Sequence, residues 1–127
     1  MHHDSEFVRL RERLVALTRD LVLIPGSSQR PEELHRALQW VRNHLESLDD
    51  ITIGVFDSNG VPSLVARPVG DRPIDVLFCS HIDVVHHPAA DTYQSRISGS
   101  RIFGPGTGDM KGIVAILLEL FRYCHLK

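Results

Sequence analysis

The stretch from Lys111 to about Tyr123 is apolar almost all round, and it constrains the fold more than any other feature of the chain. Ile113, Val114, Ala115, Ile116, Leu117, Leu118, Leu120 and Phe121 leave so little polar face that a helix here needs covering on more than one side. A parallel strand after such a helix would complete a βαβ unit, and the sequence stops where that strand would begin. The expectation is therefore a truncated α/β domain.

Two amphipathic helices precede it. Phe7, Leu10, Leu14, Leu17, Leu21 and Ile24 recur at alternating steps of three and four. Asp4 or Ser5 can cap this first helix, and Pro25-Gly26 stops it. Leu34, Leu38, Val41, Leu45 and Leu48 repeat the pattern, with Pro31 suited to the first turn. Glu32 and Glu33 follow where the helix dipole favours negative charge. At Ile51 the period changes to two, and Ile51, Ile53 and Val55, the turn Ser58-Asn59-Gly60, and Leu64-Val65-Ala66 predict a hairpin. Ile74 to Cys79 reads as a buried strand in a sheet covered on both faces. Thr92 to Ile97 and Arg101 to Phe103 suit short strands flanking Ser98-Gly99.

Composition excludes more than it identifies. The 127 residues fit one domain, and 43% hydrophobic content is ordinary for a globular protein. A net charge of -2 gives no reason to expect nucleic acid or an anionic membrane as partner. The longest apolar run, Gly112 to Leu118, is too short to span a bilayer. No secretory signal pattern opens the chain, which makes the cytoplasm the expected compartment. Cys79 and Cys124 sit in apolar segments without CxxC spacing and read as buried free thiols.

Two stretches carry chemistry. In Phe78-Cys79-Ser80-His81-Ile82-Asp83-Val84-Val85, a histidine and an aspartate two positions apart follow a predicted strand, where α/β folds place ligands. A neutral imidazole binds zinc, and a nearby carboxylate can fix its tautomer. HxD alone also describes an ordinary polar loop. In Gly104-Pro105-Gly106-Thr107-Gly108-Asp109-Met110-Lys111-Gly112, the glycines permit close backbone approach, and Asp109 stands at a helix start. By itself Asp109 reads equally as an N-cap. A phosphate cradle does not fit, because the spacing is not that of a P-loop and no Ser or Thr follows the lysine.

Together, HxDxV after an apolar strand and G-x-G-x-x-D-M-K-G running into an apolar helix resemble the M20 metallopeptidase family of amidohydrolases. The element order agrees, including the Ile24-Pro25 end of the first helix, so the resemblance spans nearly the whole chain. It implies that residues 1–127 are the N-terminal part of a catalytic domain with a mixed β-sheet and helices on both faces. His81 matches the family's first zinc ligand, Asp83 the catalytic aspartate that orients that histidine, and Asp109 the carboxylate that bridges two zinc ions. It also implies a cis peptide at Asp109-Met110 and a structural role for Lys111 and Gly112. There are departures: many members carry arginine where Pro105 stands, the Gly-Pro-Gly here being more like the glutamate carboxypeptidase branch, and Ile113 stands where a second glycine is common. His86 and His87 match no ligand position and are expected in a solvated loop. Trp40 reads as packing, and His35, His44 and His125 as surface or edge residues.

The resemblance further implies a glutamate pair, another acidic ligand, a distal histidine and a lid domain with substrate and dimer contacts. None of these is present, since the only Glu-Glu is Glu32-Glu33, upstream at a helix start. Two of the family's metal ligands cannot complete a zinc site. The expectation is thus the N-terminal segment of a dinuclear zinc hydrolase of amide or peptide bonds, inactive alone. Its substrates would be small N-acyl amino acids or peptides, and Co²⁺ or Mn²⁺ would suit the same donors. The alternative is a non-catalytic α/β domain that keeps the fold without a working metal site.

Overall fold

The computed structural model describes residues 2–127, with side chains from Ser5 onward. Helix α1 (His2–Val22) leads through a tight turn into α2 (Pro31–Glu46). A hairpin of β1 (Ile51–Ser58) and β2 (Val61–Pro68) follows. After an irregular stretch come a short 3-10 turn (Ala90–Thr92), a small hairpin of β3 (Arg96–Ser98) and β4 (Arg101–Phe103), and α3 (Gly112–His125). The class is α/β, with both sheets two-stranded and antiparallel among the described residues. No helix among the described residues is long and apolar enough to cross a membrane.

The helices form where the three-and-four spacing places them. In α2, Pro31 occupies the first turn with Glu32 and Glu33, and Ala37, Val41 and Leu45 point inward. Helix α1 starts at His2, so Asp4 and Ser5 lie within it rather than capping it. Its apolar stripe outruns its neighbours: Leu21 is fully buried, whereas Phe7 is 73% exposed. The hairpin turn is of the two-residue kind, with Asn59 and Gly60 both at positive φ (55° and 82°). That combination matches the right-handed twist of the strands it joins. The Asp57 carboxylate accepts from Gly60 N at 2.9 Å and holds the turn closed. Ile53 pairs with Ala66 and Val55 with Leu64.

The core lies where α1 ends, between α2 and α3. Leu21, Val41, Leu45, Val114 and Leu118 form its centre, and Ile51, Ile53, Leu64 and Ala66 of the first hairpin close one side. Around Glu119, which is buried, the three helices meet: Arg13 from α1 pairs with it at 2.8 Å and Arg122 at 3.2 Å, and the His44 ring from α2 lies 3.8 Å away. Burial pulls the His44 pKa below the ordinary 6.5; the Glu119 carboxylate opposes the shift, and Arg13 and Arg122 add to it. Between the folded and unfolded values the unfolded chain holds more protons, so stability falls as pH drops through 6.5. Urea melts across this range are expected to show a shallower pH slope for His44→Gln than for the wild type; equal slopes would refute the assignment.

Three expectations are corrected. Ile74 to Cys79 forms no strand: it lies between the hairpins without a ladder partner, and Val76 and Leu77 are 68% and 73% exposed. A strand exists through its neighbour's hydrogen bonds, and among the described residues none is paired with this stretch. The mixed sheet with helices on both faces is for that reason reduced to two antiparallel pairs. Cys79 and Cys124 are free, as expected, yet exposed rather than buried. Cys79 rides on the unpaired stretch, and Cys124 lies in the last turn of α3. On α3, Val114, Ala115 and Leu118 are covered while Ile113, Ile116 and Leu120 remain open. Trp40 packs against the core, and its ring stacks on His44.

Candidate metal centre

His81, Asp83 and Asp109 meet at one place. His81 Nε2 lies 3.0 Å from Asp109 Oδ1, although 28 positions separate the two in the chain. The other ring nitrogen, Nδ1, is 3.1 Å from Asp83 Oδ1 and 3.2 Å from the Asp83 carbonyl oxygen. The imidazole is therefore held between two carboxylates, one at each nitrogen. Partial burial pulls its pKa down, but the Asp83 carbonyl and carboxylate, then the Asp109 carboxylate, outweigh this and leave it raised above 6.5.

Local structure explains the placement. Val84 is buried, and its amide donates to Gly26 O at 2.9 Å, which seats the end of the His81 loop against the α1–α2 turn. The His81 amide in turn faces Met110 Sδ at 3.5 Å. On the second loop, Gly106 takes a left-handed φ of 79° and passes so close to Val84 that a Cβ would lie 2.4 Å from Val84 Cγ1. From there a single wide turn, Thr107–Lys111, runs into α3, broken by non-helical angles at Asp109 and Met110. The Asp109-Met110 peptide is cis, as the resemblance implies. Asp109 makes no capping hydrogen bond; its side chain is 88% exposed and turned to His81.

Lys111 takes the structural role that the resemblance implies, whereas the His86-His87 pair is less exposed than expected. Lys111 is completely buried, with Nζ donating to Leu21 O at 2.7 Å and to Ile24 O. Burial lowers its pKa to about 8, Arg36 adding to the shift and Glu33 opposing it. His86 and His87 do lie in a loop, but half-buried and bonded rather than freely solvated. His86 Nδ1 is 3.0 Å from Ser27 Oγ, and the His87 amide donates to Tyr93 Oη at 2.9 Å. Tyr93 is 2% exposed, and its hydroxyl also donates to Val85 O, so the loop closes over a buried aromatic ring. Sequence reasoning passed over Tyr93, Ser27 and Arg30; Tyr93 stands among polar residues (Asp91, Thr92, Gln94, Ser95), so the sequence carried no signal of its burial.

An imidazole nitrogen and a carboxylate oxygen facing each other are a donor pair of the type zinc accepts, and a carboxylate on the far ring nitrogen is the usual support for such a ligand. The pair fits the ion in kind but is short in number. Among the described residues no group of three or more His, Cys, Asp or Glu side chains converges as a metal site. A groove of about 670 Å³ runs beside the donors, lined by Leu34 and Leu38 of α2, Leu64, His81, Asp83 and Leu117.

Residues 77–126, which hold both motifs, match peptidase family M20/M25/M40. The chain is similar to a succinyl-diaminopimelate desuccinylase of Corynebacterium glutamicum, at 30% identity over 107 residues. That alignment takes in 84% of this chain and 27% of the relative, so the chain spans only a minor part of the curated relative's length. Both motifs lie in the matched segment and meet at one site, so residues 77–126 form an M20-type peptidase segment.

Proposed function

We propose that His81 and Asp109 are two of the protein ligands of a dinuclear zinc centre, and that Asp83 orients His81. The observation that carries this reading is the 3.0 Å approach of His81 Nε2 to Asp109 Oδ1, from loops far apart in sequence. Asp83 holds a proton on Nδ1, which leaves the Nε2 lone pair directed at the site. Asp109 presents one oxygen to His81 and has its side chain largely open, as a carboxylate shared by two cations requires. When bound, the metal pair supplies a water of lowered pKa at neutral pH. The same donors accept Co²⁺ or Mn²⁺.

The parent reaction we assign is hydrolysis of the amide in a small N-acyl amino acid or peptide with a free carboxylate. The match of residues 77–126 to a peptidase family and the name of the desuccinylase relative support it. Two donors fall short of the three or four a zinc site needs, so the remaining ligands come from outside these residues, and the 127 residues alone are inactive. Partners are such substrates and, for the complete protein, a second copy, with no nucleic acid or membrane. The exposed free thiols of Cys79 and Cys124 suit a reducing compartment such as the cytoplasm. The test is hydrolysis of N-succinyl and other N-acyl amino acids by the protein from its full reading frame. Activity is expected to vanish with a chelator and return with zinc. Hydrolysis that persists in chelator would refute the metal assignment, and absence of hydrolysis with every metal would favour a non-catalytic domain.

A further inference from the structure

Both loops that carry the proposed ligands are tied to one short stretch, the turn between α1 and α2. On the His81 side, Val84 N donates to Gly26 O at 2.9 Å, and Ser27 Oγ meets His86 Nδ1 at 3.0 Å. The Arg30 guanidinium donates to His87 O at 2.7 Å and Pro88 O at 3.0 Å, and it lies over the buried Tyr93 ring. On the Asp109 side, Lys111 Nζ donates to Leu21 O and Ile24 O. Lys111 N donates to Gly106 O at 2.8 Å, which binds the two ends of its own loop together. The turn itself is closed by a bridge between Ser27, which is fully buried, and Arg30.

A fully buried ammonium is a costly way to fill space, and an apolar side chain would pack there without the desolvation penalty. What an apolar side chain cannot do is bond carbonyls at the end of α1, where the helix dipole leaves negative charge. We propose that Lys111 and Arg30 are positioning residues: from opposite sides of the α1–α2 turn they set the separation of the loops bearing His81 and Asp109. This rests on the metal reading above. Neither residue touches the proposed ion; each acts through the backbone that carries a ligand.

The test is cobalt(II) titration, followed by visible absorption, of the protein from its full reading frame, well below its melting transition. His81→Ala and Asp109→Ala are expected to abolish the cobalt spectrum; an unchanged spectrum in both would remove the metal reading, whatever Lys111 does. With those controls as expected, Lys111→Met is expected to weaken cobalt binding by about 10–100-fold, the range for losing a residue that orients a ligand. Lys111→Cys, in a Cys79→Ser and Cys124→Ser background, alkylated to aminoethylcysteine before refolding, is expected to restore the affinity. A role in stability alone predicts a lower melting temperature with unchanged cobalt affinity and spectrum, and that result would overturn the proposal. Should Lys111→Met not fold, Arg30→Gln decides: weaker binding by about tenfold supports the clamp, and wild-type affinity overturns it.

Discussion

Gly106→Ala is expected to destabilise the chain by about 2–5 kcal/mol. The backbone there has φ of +79°, which costs an L-residue roughly 1–2 kcal/mol. The new Cβ would also lie 2.4 Å from Val84 Cγ1, an overpacking that costs roughly 1–3 kcal/mol more. Val84 has little freedom to yield, since it is β-branched and buried and its amide is bonded to Gly26. Gly108→Ala is the matched control: nothing lies within 4 Å of its Cβ position, and its φ is outside the left-handed region. It should stay within about 0.5 kcal/mol of wild type. Urea denaturation of the two variants measures the difference, and a Gly106→Ala cost no larger than that of Gly108→Ala would refute both the backbone strain and the close approach of the two loops.

His81→Ala is expected to have the second large effect, on metal binding rather than stability. The side chain is exposed enough that its removal leaves no cavity in the core, so the melt should shift little. Zinc affinity of the protein from its full reading frame should fall well beyond the about 10–100-fold that loss of an orienting partner costs. Asp83→Asn should fall within that range, because asparagine still contacts Nδ1 but no longer fixes the tautomer by charge. Calorimetric zinc titration separates the two, and the ranking is the informative result. An Asp83→Asn loss as large as that of His81→Ala would make Asp83 a ligand rather than an orienting group.

The helices and the first hairpin were legible because their causes are local. Ala37, Val41 and Leu45 are inward at helical spacing, and Asn59-Gly60 can hardly be anything but a two-residue turn. His81, Asp83 and Asp109 were legible for another reason: residue type and spacing resemble a family pattern, and the fold brings them together. What failed was whatever depended on a distant partner. Ile74 to Cys79 has the composition of a buried strand, but no neighbour among the described residues completes its hydrogen bonds. Burial of Cys79 failed with it.

The sequence by itself determined where the helices lie, which turn closes the first hairpin, and which side chains have the chemistry to bind a metal. Each of these follows from backbone sterics, a repeat of apolar residues, or the donor atoms of a side chain. Only the tertiary structure decided that Lys111 would be fully buried, that His87 would close over Tyr93, and that His86 would meet Ser27. The same holds for the seating of two separate loops on one turn between helices. The reason is that a polar side chain takes its environment from whatever the chain folds against it, and its own neighbours in sequence do not specify which carbonyls will be there to receive its protons.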